Sequence, residues 1–235
     1  MFSQRLRAVL RYAPVLLLVV GTLLVHDVRY LLRHPFWLDE AWVAVSTRAP
    51  LGRLPLLTSS TPIGWTWLLR LVPGGGLQRS RLVPLAFSAA AAVLAYCVGR
   101  RSGPMPAVSG MLAGAAVLFL PSLLIRNDLK QYSADAAVAL LILLLLARLD
   151  AEWSRQRLLQ LCGTVVICAL FSHAALLVGS AGVLALALTS LSRRRRSRLK
   201  ASVAAVVTTG LGLLAVFVVF DAPTQNRVLT AYWSR

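Results

Sequence analysis

Residues 12–42 read YAPVLLLVVGTLLVHDVRYLLRHPFWLDEAW. The first part, Ala13–Val25, is apolar and uncharged. Extended to Tyr30, the run approaches the ~20 residues that cross a ~30 Å hydrocarbon core. The second part, His34–Trp42, sets two adjacent carboxylates, Asp39 and Glu40, between Trp37 and Trp42. Tryptophan is favoured where a bilayer meets water. Read together, the stretch is a membrane span that delivers a pair of acids to the membrane surface.

The rest of the chain extends that reading. Its 235 residues are 58% hydrophobic and only 14% charged, and the mean hydropathy is +0.73. Apolar runs recur at about Leu82–Val98, Ala107–Leu120, Ala136–Ala147, Leu158–Phe171, Ala174–Leu191 and Ser202–Phe220. They do not alternate polar and apolar residues, which excludes barrel strands. Lipid cannot satisfy open backbone, so helices are the default. The expected fold is therefore all-α: one polytopic transmembrane bundle of about seven spans, covering residues 1–235. Arg5, Arg7 and Arg11 precede the first span, but no small-x-small cleavage site follows it, so it reads as an uncleaved span rather than a signal peptide.

Charge orients the bundle. The net charge is +17, which could suggest nucleic acid. The arginines, however, sit in short loops between spans, where they mark the cytoplasmic side and meet anionic headgroups. No nucleic-acid partner is expected; membrane lipid is. With the N-terminus inside, the short inside segments are the N-terminal arm, GRRSG, RLDAEWSRQR and RRRRSRLK. The outer segments are a long first loop (about 31–76), a second loop (about 121–135) and a C-terminal tail (about 221–235). The first loop holds Trp37, Trp42, Trp65 and Trp67, which suits short helices lying in the interface. Within it, Thr61-Pro62 is a helix start, and Pro73–Gly76 ends that piece.

Only eight residues are acidic. Asp150 and Glu152 fall inside. Asp27, Asp39, Glu40, Asp128, Asp135 and Asp221 fall at or beyond the outer face. Asp27 and Asp221 fit ordinary helix ends. Asp39, Glu40, Asp128 and Asp135 come from two separate outer segments yet share one depth.

Two stretches can carry chemistry. In RNDLKQYSAD (Arg126–Asp135), a helix would put Asp128, Gln131, Tyr132 and Asp135 on one face. Arg126 and Lys130, one turn apart, could meet an anion. The competing reading is a solvated helix N-terminus, where acids suit the macrodipole. In WLDEAW, the acids either face water above an interfacial anchor or serve as a general base for a hydroxyl. Clustered carboxylates could also bind a divalent cation. His34 and His173 read as structural residues near helix ends. Cys97, Cys162 and Cys168 lie in apolar runs without CxxC spacing, which indicates neither zinc nor a disulfide framework. No Walker loop, GxGxxG or HExxH occurs.

HPFWLDEAW, TPIGWTWLLRL and DLKQYSADAAVALLILLLL, in that order, resemble the multi-spanning GT-C glycosyltransferases, in particular bacterial relatives of protein O-mannosyltransferase and the lipid A aminoarabinose transferase. FSHAALLVGSAGVLALAL and NRVLTAYW add to the likeness. The resemblance implies an enzyme that transfers a sugar from a polyprenyl-phosphate donor at the extracytoplasmic face of a bacterial plasma membrane. It implies Asp39 as the base for the acceptor, with Glu40 beside it. It also implies a second acidic site at Asp135 and Asp128, with Lys130, Arg126, Gln131 and Tyr132 near the donor phosphate. Asp39 and Asp135 are candidate ligands for a divalent metal. Relatives often carry an acid before the Pro-containing helix, where this chain reads Thr58-Ser59-Ser60-Thr61. They also usually continue for further spans. On this likeness the chain corresponds to an N-terminal module, and a partner chain could supply the remaining spans. The alternative is a catalytically silent membrane module that binds lipid or a partner subunit.

Overall fold

The computed structural model describes residues 2–54, 61–72, 76–120 and 129–222. Most of these residues are helical, with no strand among them. In chain order the helices are α1 (Phe2–Val25), α2 (Val28–Arg33), α3 (Leu38–Ser46), α4 (Ile63–Arg70), α5 (Leu82–Ser102), α6 (Pro106–Leu118), α7 (Tyr132–Ala151), α8 (Arg155–Ala169), α9 (Ala174–Ser192) and α10 (Arg196–Val216). A 3-10 turn, Leu77–Arg81, leads into α5, and a π-helical turn, Phe217–Asp221, extends α10.

The expected apolar runs from Leu82 onward each fall on a helix. Among the described residues, three helical stretches are long and apolar enough to cross a bilayer: Leu77–Ser102, Ala174–Ser192 and Arg196–Asp221. Tyr12–Val25 and Pro106–Leu118 are apolar but shorter. Large side chains along these helices face outward, including Leu24 at 76% exposure, Leu177 at 77% and Leu211 at 61%. An apolar belt of that kind marks a surface that meets lipid or protein rather than water. The chain is a membrane-associated helical protein.

The first expected span is shorter than its sequence suggests. α1 ends at Val25, and the chain restarts as α2 at Val28. Asp27 causes the break. It adopts a left-handed backbone (φ 36°), and its carboxylate accepts a hydrogen bond from the Tyr30 amide as the N-cap of α2. Asp is among the few side chains that tolerate that conformation and cap well. Other boundaries follow their signals. Pro62 precedes α4, Pro106 opens α6 at a position where its missing N–H costs nothing, and Leu170–His173 form the turn between α8 and α9.

α5 is central and packs against α1, α6 and α7, while α7 also meets α8 and α9, and α10 closes on α8 and α9. Between helices in lipid the surrounding tails are as apolar as leucine, so close approach of small residues drives association. The α5–α6 contact is built this way. A Cβ on Gly99 would lie 2.6 Å from the Ser109 carbonyl oxygen, so only glycine permits this spacing. Ala91, Ala92 and Ala95 continue the same small-residue side of α5 and are fully buried. The second half packs around Ile142, Leu149, Leu161, Val165 and Val183. A separate cluster, Val43, Ala44, Trp65, Leu69, Leu129 and Ala134, joins α3 and α4 to the start of α7. That cluster positions the candidate site.

Candidate active site at the Asp39 end

The adjacent acids of α3 have different fates. Successive helical residues point about 100° apart, so one can be buried while the other is exposed. Glu40 turns inward and is 2% exposed. Its Oε2 accepts from the Trp37 amide at 3.1 Å, which closes the first turn of α3. Arg81 grips the same carboxylate with a fork: Nε donates to Oε1 at 3.0 Å and Nη2 to Oε2 at 2.6 Å. The Arg81 guanidinium also donates to the carbonyls of Leu31, His34 and Pro35 and lies 4.6 Å from the centre of the Phe36 ring. A planar five-donor guanidinium suits this pattern, and lysine does not. Arg81 is thus the residue that sequence reasoning missed. Beside a membrane span, an arginine reads as an ordinary flank.

Asp39 turns outward, with its side chain 70% exposed. Lys130 Nζ donates to Asp39 Oδ2 at 2.7 Å, across 91 residues of sequence. The Lys130 side chain itself is 17% exposed. Two segments separated in the chain by α4, α5 and α6 therefore meet at this pair.

Behind Lys130, the region expected to be one continuous helical face is not. α7 begins at Tyr132, with Gln131 as its N-cap residue and Leu129–Lys130 in a bend. Asp128 and Arg126 lie outside the described residues. Trp65 fixes the bend. It is fully buried, and its indole N–H donates to the Leu129 carbonyl at 2.7 Å. The expectation that Trp65 lies in the interface is corrected here: it is the core of the α3–α4–α7 cluster. Trp37 and Trp42 are exposed as expected, at 75% and 53%.

Gln131 is buried, and its amide meets His173 Nδ1 at 3.2 Å, while Gln131 Oε1 has no hydrogen-bond partner among the described residues. Tyr132 is half-buried at the first turn of α7. Asp135 does not point to the Asp39–Lys130 pair's own atoms. Its Oδ1 accepts from Ser172 Oγ at 2.6 Å and from the Ala174 amide at 3.2 Å, so it caps the N-terminus of α9, where a negative charge is stabilising. His173, read from sequence as merely structural, sits between Gln131 and the charge of Asp221. Asp39, Lys130, Gln131, Asp135, Ser172 and His173 thus gather at the end of the bundle where α7 and α9 begin.

A divalent metal fits this arrangement poorly. Among the described residues, no group of three or more His, Cys, Asp or Glu side chains is placed to hold one. Asp39 Oδ2 is taken by Lys130 and Asp135 Oδ1 by the α9 cap.

Comparison with protein-family models, with curated proteins and with solved structures finds no match for this chain.

Proposed function

We propose that the chain is a membrane glycosyltransferase of GT-C type, or the N-terminal module of one. It transfers a sugar from a polyprenyl-phosphate donor to an acceptor at the extracytoplasmic face of a bacterial plasma membrane. The bundle has seven spans, α1 and α5–α10, with the N-terminus inside. The observation that carries the reading is the Asp39–Lys130 pair: an exposed carboxylate and an amine from two different outer segments, 2.7 Å apart.

Transfer from a lipid phosphate needs a base for the acceptor hydroxyl and positive charge at the departing phosphate. Asp39 takes the hydroxyl proton. Lys130, with Arg126 nearby in sequence, neutralises the phosphate. Before donor binds, the lysine and the carboxylate satisfy each other. When phosphate draws Lys130 away, Asp39 becomes free to act. The N-termini of α7 and α9 also point to this end, and their partial positive charge favours an anion. One base and one displacement give inversion at the anomeric carbon. Glu40 positions the helix through Arg81 and does not meet the reactants.

The test uses the purified full chain in lipid with a radiolabelled polyprenyl-phosphate sugar. Turnover by the wild type and its loss in Asp39→Asn, with folding and insertion intact, supports the reading. Near-normal transfer by Asp39→Asn removes Asp39 from its role. No turnover by the wild type, alone or with any co-purifying membrane partner, favours the silent lipid- or partner-binding module.

A further inference from the structure

The opposite end of the bundle carries a second polar feature. A cavity of about 280 Å³ opens where α5 and α7 end and α8 begins, lined by Arg101, Leu145, Arg148, Glu152, Arg157 and Gln160, with Ala151 at its edge. It is far from Asp39: Arg148 lies thirteen residues along α7 from Asp135, roughly 20 Å at 1.5 Å per residue.

The charges around it are not equivalent. Arg157 is committed to the fold. It pairs with the Glu152 carboxylate and donates to the carbonyls of Arg148 and Glu152, closing the C-terminus of α7 as cations do there. That interaction also neutralises the one acid of the lining. Arg101 makes a single long bond, 3.3 Å, to the carbonyl of Cys97 in its own helix. Arg148 has no side-chain hydrogen-bond partner among the described residues. Arg100, next to Arg101, is drawn off over the Tyr96 ring. Two guanidinium groups from different helices therefore share one cavity with a glutamine amide and with no carboxylate left to balance them.

Loop arginines are ordinarily solvated topology markers. These two differ because they converge on a cavity. Guanidinium forks match phosphate oxygens with paired, charge-assisted hydrogen bonds. The site lies beside the arginine-rich loops, at the level where one leaflet's headgroups would sit. We propose that this cavity binds a phosphate ester through Arg101 and Arg148, with Gln160 as a further donor. The proposal is independent of the reading of the Asp39 end.

The phosphate can come from a lipid headgroup or from solution, and the experiment separates the two. The full chain in detergent is titrated with phosphatidylglycerol against phosphatidylcholine, with retained lipid counted by native mass spectrometry, and separately with inorganic phosphate by calorimetry. The test variant is Arg101→Gln/Arg148→Gln. The control is Arg194→Gln/Arg196→Gln, which removes the same charge from a neighbouring loop outside the cavity. Both pairs are exposed, and circular dichroism checks that they fold. Preferential retention of phosphatidylglycerol, weakened about a hundredfold in the test variant and little changed in the control, identifies a lipid phosphate; each charge-assisted hydrogen bond lost costs roughly tenfold. Binding of inorganic phosphate with the same variant pattern, and no lipid preference, identifies a soluble source. Absence of both ligands from the wild type, or equal losses in the two variants, overturns the proposal.

Discussion

Arg81 and Glu40 show how much one pair can govern. Both side chains are nearly dry, at 4% and 3% exposure. Removing one partner strands a buried charge, which costs about 3–5 kcal/mol. Arg81→Gln is therefore expected to lower the unfolding midpoint sharply, and Arg81→Lys to recover only part of the loss. A thermal melt in detergent measures both. By contrast, the exposed Asp39–Lys130 pair contributes no more than about 1 kcal/mol. Asp39→Asn is expected to leave the melt nearly unchanged, so any loss of activity is chemical rather than structural. A second buried contact gives an intermediate case. Trp65→Phe keeps the ring in the core but leaves the Leu129 carbonyl without its donor, which costs about 1–3 kcal/mol. At this scale the sequence is legible only in part. Two acids side by side on a helix must diverge, but nothing in WLDEAW says which one faces inward. That choice is made by Arg81, 41 residues away, and such distant partners leave no local trace.

Helices were the most legible level. Apolar length, Pro62, Pro106 and the Ser172–His173 turn place their ends within a few residues of where they lie. The exceptions have physical causes. α1 stops early because Asp27 can take a left-handed backbone and cap α2, which apolar content does not report. The proposed face from Asp128 to Asp135 is interrupted because Trp65 holds Leu129 in a bend. α4 depends on one position in particular. The Gly64 amide donates to the Leu170 carbonyl at 2.8 Å, and a Cβ there would lie 2.5 Å from the same oxygen. Gly64→Val is thus expected to push α4 off the end of α8 and carry Trp65 with it. Total helix content should stay near wild type, while limited trypsin digestion cuts sooner at Arg70. Unchanged digestion would show that α4 is held elsewhere.

The whole molecule divides charge between its two ends, with Asp39, Asp135 and Asp221 at one and the RRRRSRLK loop at the other. Sequence reading expects most acids at one boundary and the densest arginines at the other, and Asp150 and Glu152 depart from that division by lying at the arginine-rich end. It did not anticipate the Arg101–Arg148 cavity, since convergence of three helices is not encoded in any one of them. The number of crossings has a direct test. Seven spans put five crossings between residues 37 and 195, so those positions lie on opposite sides. If only the three long apolar stretches cross, two crossings intervene and both positions lie on one side. Trp37→Cys and Arg195→Cys, each in a background with Cys97, Cys162 and Cys168 changed to alanine, are expected to react with an impermeant maleimide from opposite faces of sealed vesicles.

Arg81 has one more consequence, which concerns mechanics. Its guanidinium binds the carbonyls of Leu31, His34 and Pro35 as well as Glu40, so α3 is anchored to the start of α5. α1 joins that anchored segment through the break at His26–Asp27 and packs along α5. A short helix in a bilayer of changing thickness tilts or is strained by mismatch. Here the Arg81 anchor ties the height of the Asp39 carboxylate to α5, and the break keeps any bending of α1 from passing directly into α3. If the chain is the transferase proposed above, its rates in short-chain and long-chain lipids should then be similar for the wild type. They should separate once Arg81 is replaced, because the acid would rise and sink with the membrane around it.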